Sequence, residues 1–93
     1  MNRKKLIIAR KRIDKLDNKI FNLISKRTSL VNQMILLKSN RNQIVDKRRI
    51  NEILSKIKKK SLKEKNDPMI ALTIWKSMIW AYVKYQRKNF KKK

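Results

Sequence analysis

The stretch NLISKRTSLVNQMILLK, residues 22–38, decides the fold. Its apolar residues follow the alternating three- and four-residue spacing that an α-helix buries along one side. The same spacing runs back toward the N-terminus, and the apolar members of this seam are Leu6, Ala9, Ile13, Leu16, Ile20, Leu23, Leu30, Met34 and Leu37. Arg27 occupies a position in the series where another leucine is expected, and Lys38 directly follows the last member.

The length of this seam predicts a very long first helix. Neither proline nor glycine interrupts it, so we expect a helix from about Arg3 to Ser39. Such a helix is about 55 Å long, roughly twice the width of a small domain. One chain of 93 residues cannot cover it. A second copy of the chain is the simplest source of the missing contacts, and the sequence therefore predicts a homodimer.

Two shorter helices are predicted after a break at SNRNQ, residues 39–43. Asp46 is suited to cap the start of the second helix, and the run KIKKKSLKEKN, residues 56–66, is expected to fray into a loop. Asp67 and Pro68 form a standard start for the third helix. The apolar residues of these helices are Ile50, Ile53, Leu54 and Ile57, then Ile70, Ile74, Trp75, Met78, Ile79, Val83 and Phe90.

The prediction is therefore an all-α fold of three helices without strands, forming one domain over residues 1–90. The basic tail, residues 91–93, is expected to be disordered. No apolar run is long enough to span a bilayer and no signal peptide is evident, so we expect no membrane association and a cytoplasmic location.

Composition excludes several kinds of chemistry. The chain has no cysteine, histidine or glycine, which removes the usual metal ligands, the commonest general base and glycine-rich phosphate loops. We expect neither a metal nor another cofactor. Lysine and arginine number 28 against 6 acidic residues, for a net charge of +22, so the chain favours anionic partners.

Polar side chains stand in or beside each apolar stripe. In the first helix Arg27 and Lys38 are about 20° apart in projection and share a face. Arg10 borders the seam, Arg49 lies beside the second stripe, and Gln86 lies within the third. Long cationic side chains often reach from apolar surfaces into water, and one polar core residue can serve only to set register. The alternative is a small dianionic ligand that supplies the missing counter-charge.

The positions of these five residues, with the opening IARKRIDKLDNKIFNLISKR, resemble the all-helical chorismate mutases. The resemblance runs from about Leu6 to Phe90 and implies an intertwined homodimer with two active sites. The substrate would be chorismate, which carries two carboxylates, and its rearrangement to prephenate would serve aromatic amino acid biosynthesis in the shikimate pathway. This pericyclic reaction needs no proton transfer, covalent intermediate or metal.

The resemblance also implies a role for each candidate site residue. Arg27, together with Arg10 from the other subunit, would clamp the substrate carboxylates, and Arg49 would support one of them. Lys38 and Gln86 would hydrogen-bond the ether oxygen, so we expect Lys38, Gln86 and Arg27 to be catalytic. Asp46 would lie near the ring hydroxyl, and Ile50 and Tyr82 would complete the substrate pocket.

Two departures from the family pattern keep a second activity open. Ile50 replaces the glutamate that usually follows the arginine equivalent to Arg49, and Tyr82 replaces a small hydroxyl residue. The aliphatic Ile50, together with the aromatic-rich third helix WKSMIWAYVKYQ, is more similar to the isochorismate pyruvate-lyase branch of the fold, which yields salicylate and pyruvate. A basic helical nucleic-acid-binding protein is the non-enzymatic alternative. We do not expect nucleic acid as the partner, because no recognised binding signature is present and Trp75 and Trp80 resemble core residues.

Overall fold

The computed structural model describes residues 2–91 and is all-α over that range. Its helices are α1, Arg3–Leu37, α2, Lys47–Lys63, and α3, Pro68–Asn89, with a short 3-10 helix, Arg41–Gln43, between α1 and α2. No strand occurs within the described residues. The predicted three-helix fold with a very long first helix is confirmed.

The chain divides into two compact units, and the boundary falls between Gln33 and Met34, inside α1. The prediction of a single domain over residues 1–90 stays a prediction. Of the predicted disordered tail, Lys91 is exposed, and residues 92 and 93 lie outside the described residues.

The first unit consists of α1 as far as Gln33, and its predicted seam is exposed. Leu16, Leu23 and Leu30 are 57, 62 and 59% exposed, respectively. Leu6 is half-buried, whereas Val31, which lies outside the predicted seam, is buried. The seam is thus an exposed apolar row along the helix, interrupted at Arg27, and the homodimer predicted from it stays a prediction.

The second unit begins with the end of α1, which the side chain of Gln43 fixes. Its Oε1 accepts hydrogen bonds from the backbone N–H groups of Ser39, at 2.6 Å, and Asn40, at 3.2 Å. Asn40 in turn caps the 3-10 helix, because its Oδ1 accepts from the N–H of Asn42 at 3.0 Å. In the predicted break after α1, the backbone N–H groups of Ser39, Asn40 and Asn42 are therefore hydrogen-bonded by side chains of the same segment.

Helix α2 begins where the sequence predicts and ends later. Asp46 is its N-cap, with Oδ1 accepting from the N–H of Arg49 at 3.0 Å. The prediction that residues 56–66 fray is wrong as far as Lys63, because lysine and leucine are good helix formers and one side of this run still packs. Buried Ser61 marks that side, and its hydroxyl donates to the carbonyl of Ile57 at 2.9 Å.

The end of α2 is a Schellman motif built without glycine. The N–H of Lys65 donates to Leu62 O at 3.1 Å, and the N–H of Asn66 donates to Ser61 O at 2.9 Å. Lys65 occupies the left-handed region, with φ of 57°. A side chain at this position is unfavourable, because Cβ approaches the following carbonyl.

Helix α3 starts at the predicted Asp67–Pro68 pair, with Asp67 Oδ1 accepting from the N–H of Met69 at 2.9 Å. It packs against α2 and buries Ile79 and Val83. Phe90 is buried too, but as the residue that caps α3 rather than as part of it. The assignment of Trp80 to the core is wrong, since it is 49% exposed, whereas Trp75 is half-buried.

Candidate active site

Gln86 is a buried amide in an apolar surrounding. It lies seven residues after Ile79 and three after Val83, on the side of α3 that the second unit buries, and it is only 7% exposed. A buried amide needs hydrogen-bond partners, since leaving it unsatisfied costs about 1–3 kcal/mol. The helical spacing predicted this placement, and the structure confirms it.

Lys38 supplies the partner. The residue directly follows α1, and its Nζ donates to Gln86 Oε1 at 2.7 Å, across 48 positions of sequence. Because this bond occupies the amide oxygen, Gln86 has its two Nε2 hydrogens left for a further partner. The ammonium of Lys38 retains two more hydrogens. The pair therefore offers donors, and the group that suits it is an acceptor oxygen.

The surroundings of Lys38 lower the pKa of its ammonium from the ordinary value of 10.5. Partial burial is the larger cause, because it disfavours the charged form, and the carboxylate of Asp46 opposes it by raising the pKa. Lys38 itself is half-buried. A partly desolvated ammonium interacts more strongly with an acceptor oxygen than a fully hydrated one does.

A cavity of about 460 Å³ opens beside Lys38. Asp46 lies on its wall, so the capping carboxylate of α2 and the ammonium share one recess. The lining residues are Lys38, Asn42, Gln43, Val45, Asp46 and Lys47. The recess is polar and large enough to admit a small organic anion.

The other predicted site residues of the second unit are Arg49, Ile50 and Tyr82, and they differ in exposure. Arg49 is exposed and joins Asp46 through its backbone N–H. Ile50 and Tyr82 are half-buried, and the ring of Tyr82 meets that of Tyr85 edge to face, with centroids 6.4 Å apart. The structure thus brings Lys38 directly to Gln86 and places Asp46 within electrostatic reach of Lys38.

Two predicted residues belong to the first unit. Arg27 is half-buried and Arg10 is exposed. The exposure of Arg10 is compatible with the role that the family resemblance implies, in which this side chain serves another subunit.

Arg41 is a residue that the sequence reasoning missed. Its Nη1 donates to the carbonyl of Arg87 at 3.1 Å, and its guanidinium lies 5.7 Å from the centre of the Phe90 ring. The partners are more than 40 positions away along the chain, and no local pattern signals such a contact. An arginine in a break between helices is ordinarily read as solvated surface.

The match to a protein-family model decides the classification. The model for chorismate mutase type II matches residues 9–87. The chain belongs to the chorismate mutase type II family. No curated protein and no solved structure matches the chain.

The matched range of this chorismate mutase family member includes every predicted site residue. The first is Arg10 and the last is Gln86. Family membership supports chorismate-mutase-type chemistry and a chorismate-type substrate. Residues 2–91 contain no cluster of three acidic side chains that could bind a metal ion. None of the helices in that range has both the length and the apolar character of a membrane span.

Proposed function

We propose that this protein is a chorismate mutase, which converts chorismate to prephenate. The observation that carries the proposal is the hydrogen bond from Lys38 to buried Gln86, at 2.7 Å, in a member of this family. A cytoplasmic location and a place in the shikimate pathway are parts of the same proposal.

The reaction is an intramolecular rearrangement. The C–O bond of the enolpyruvyl ether breaks while a C–C bond forms to the ring, and no atom enters or leaves the molecule. Negative charge grows on the ether oxygen as the bond breaks. Lys38 and Gln86 would direct N–H donors at that oxygen, and preorganised donors of this kind are each worth about 3–4 kcal/mol in other enzymes.

Substrate binding would depend on arginines. Chorismate carries two carboxylates, and the planar guanidinium fork matches a carboxylate better than an ammonium does. Arg27 and Arg49 would come from the subunit that provides Lys38, and Arg10 would come from the other subunit. Holding both carboxylates would also hold the reactive diaxial shape of the substrate, which removes part of the entropic barrier.

The exposed seam of α1 supports the dimer that this site needs. Leu16, Leu23, Leu30 and Leu37 of the seam are more than half exposed in the single chain, and an exposed apolar row of this length is unusual on a soluble monomer. A second copy of α1 would cover the row. We therefore include a homodimer in the proposal, with each site completed by Arg10 of the partner subunit.

Isochorismate pyruvate-lyase is the second candidate, and Ile50 is the observation that favours it. Family mutases usually carry a glutamate at this position, where it meets the ring hydroxyl of chorismate. In this chain the half-buried Ile50 can accept no hydrogen bond from that hydroxyl. In the lyase reaction the same cationic cage and donor pair would break the enolpyruvyl ether C–O bond of isochorismate while a ring hydrogen moves to the enolpyruvyl methylene carbon, which releases pyruvate and leaves the aromatic ring of salicylate.

One incubation distinguishes the two activities. The purified chain is given chorismate and isochorismate separately, and prephenate, salicylate and pyruvate are quantified. Saturable formation of prephenate supports the mutase, and salicylate with an equal amount of pyruvate supports the lyase. Absence of all three products from a folded dimer would overturn both. Binding to duplex DNA that weakens steeply with salt would then favour the nucleic-acid alternative.

A further inference from the structure

Two contacts of Arg41 meet at the end of α3. Its Nη1 donates to the backbone carbonyl of Arg87, and its guanidinium lies over the ring of Phe90. A carbonyl in the last turn of a helix has no partner within the helix, so a donated hydrogen bond satisfies it. A cation over an aromatic face adds a second attraction, and one planar side chain makes both contacts.

The turn that Arg41 contacts is the turn that carries Gln86. Arg87 follows Gln86 directly, and the N–H of Phe90 donates to the carbonyl of Gln86 at 2.8 Å. Phe90 is buried, so its ring is fixed in place while Arg41 covers it. Movement of this turn would move the amide of Gln86 with it, because the helix backbone connects them.

The segment that carries Arg41 also carries Lys38. The two residues are three positions apart, and the hydrogen bonds of Asn40 and Gln43 hold the backbone between them. Residues 38–43 are therefore attached to the end of α3 at two places. One is the bond from Lys38 to Gln86, and the other is the contact of Arg41 with Arg87 and Phe90.

We propose that Arg41 is a positioning residue for the donor pair of Lys38 and Gln86. Arg41 holds the pair in place because it fastens residues 38–43 to the last turn of α3, and it does not itself touch the substrate. The kinetic part of this inference rests on the proposed function. Its structural part concerns only the second unit of the chain and is testable without substrate.

The test uses two substitutions of Arg41 and one matched control in the full-length protein. Arg41→Gln removes the guanidinium and its charge. Arg41→Lys keeps the charge, but an ammonium cannot bond the carbonyl and lie flat on the ring together. Arg87→Gln is the control, because it removes a positive charge at the same place while it leaves the carbonyl acceptor of residue 87 intact.

We expect both Arg41 variants to lose activity in kcat rather than in KM. A displacement of about 1 Å costs up to about 100-fold in rate, and a loosened pair should cost about tenfold. KM should stay within about twofold, because the carboxylate clamps are unchanged. Arg87→Gln should keep both constants near the wild-type values.

Nuclear magnetic resonance gives two readouts that need no activity. In the wild type the Lys38 ammonium should titrate below 10.5, and in both Arg41 variants its pKa should move toward that value as the pair separates and water enters. The amide hydrogen of Phe90, which bonds Gln86, should exchange faster in both variants. Arg87→Gln should change neither signal.

The inference is overturned if Arg41→Gln has the same kcat, the same pKa of Lys38 and the same exchange rate of the Phe90 amide hydrogen as the wild type. Wild-type behaviour of Arg41→Lys beside a defective Arg41→Gln would also overturn it, because the effect would then come from charge alone. If the protein lacks mutase and lyase activity, the kinetic half falls with the proposed function. The two magnetic resonance readouts then decide the fastening by Arg41 on their own.

Discussion

Substitution of Lys38 by alanine tests the donor pair most sharply. The change removes the ammonium that bonds Gln86 Oε1 at 2.7 Å and the charge that would face the ether oxygen. Loss of one preorganised donor costs about 3 kcal/mol or more, so kcat should fall at least about 100-fold. We expect Arg27→Ala to cost a similar amount, because in the proposed mechanism Arg27 would hold a substrate carboxylate.

The fold should survive the Lys38 substitution. The desolvation that lowers the pKa of Lys38 disfavours its charged form in the folded protein, and removing the side chain relieves that cost. Against this, Gln86 Oε1 loses its donor, but the space left by the lysine side chain admits water. Far-ultraviolet circular dichroism and thermal melting should therefore resemble those of the wild type.

The assay follows the loss of chorismate absorbance and quantifies prephenate in the same samples. Lys84→Ala serves as a matched control, because it removes an exposed lysine of α3 two residues before Gln86. It should retain the wild-type rate. Turnover by folded Lys38→Ala at the wild-type rate would refute the assignment of Lys38 as a donor in the reaction.

Three further predictions concern the dimer, the pH profile and stability. Mixing inactive Arg10→Ala and Lys38→Ala chains should restore some activity, because one heterodimer site is complete; no recovery despite verified subunit exchange would contradict a shared site. Activity should be nearly flat from about pH 6 to 8 and should then decrease as the pH rises, before it reaches 10.5, because Lys38 loses its proton. Asp46→Asn keeps a capping side chain but removes the charge that raises the pKa of Lys38, so it should move this decrease to lower pH. A fall at unchanged pH would argue against the coupling. Lys65→Gly should raise the free energy of unfolding by about 1 kcal/mol in chemical denaturation, because φ is 57°, whereas Lys59→Gly within α2 should lower it by about 1 kcal/mol.

The sequence predicts the helices well where local rules govern them. The spacing of the seam, the capping side chains of Asp46 and Asp67, and Pro68 all act within a few residues, and the structure has the helix starts that they indicate. The end of α2 is predicted too early, because a run of lysines reads as loop although lysine favours helices. Its actual end depends on Lys65 adopting a conformation that composition does not signal.

The site is predictable only where local helical spacing determines the position of a side chain. Gln86 stands out because one amide interrupts an apolar stripe, and its burial follows from helical geometry. Arg41 leaves no such mark, because its contacts join segments more than 40 residues apart. The side chains of Arg10 and Arg49 are exposed in the single chain, so neither their spacing nor their burial identifies a role. Only the family resemblance assigns one.

A crystal structure with a bicyclic dicarboxylate that mimics the rearranging transition state would show whether Lys38 and Gln86 meet the ether oxygen. We expect Lys38 Nζ and Gln86 Nε2 both to lie within about 2.7–3.1 Å of the oxygen that represents the breaking ether bond. We also expect guanidinium groups from two subunits on the carboxylates. An analogue bound away from this pair, with Lys38 and Gln86 bonded only to each other and to water, would refute the role of the pair as donors.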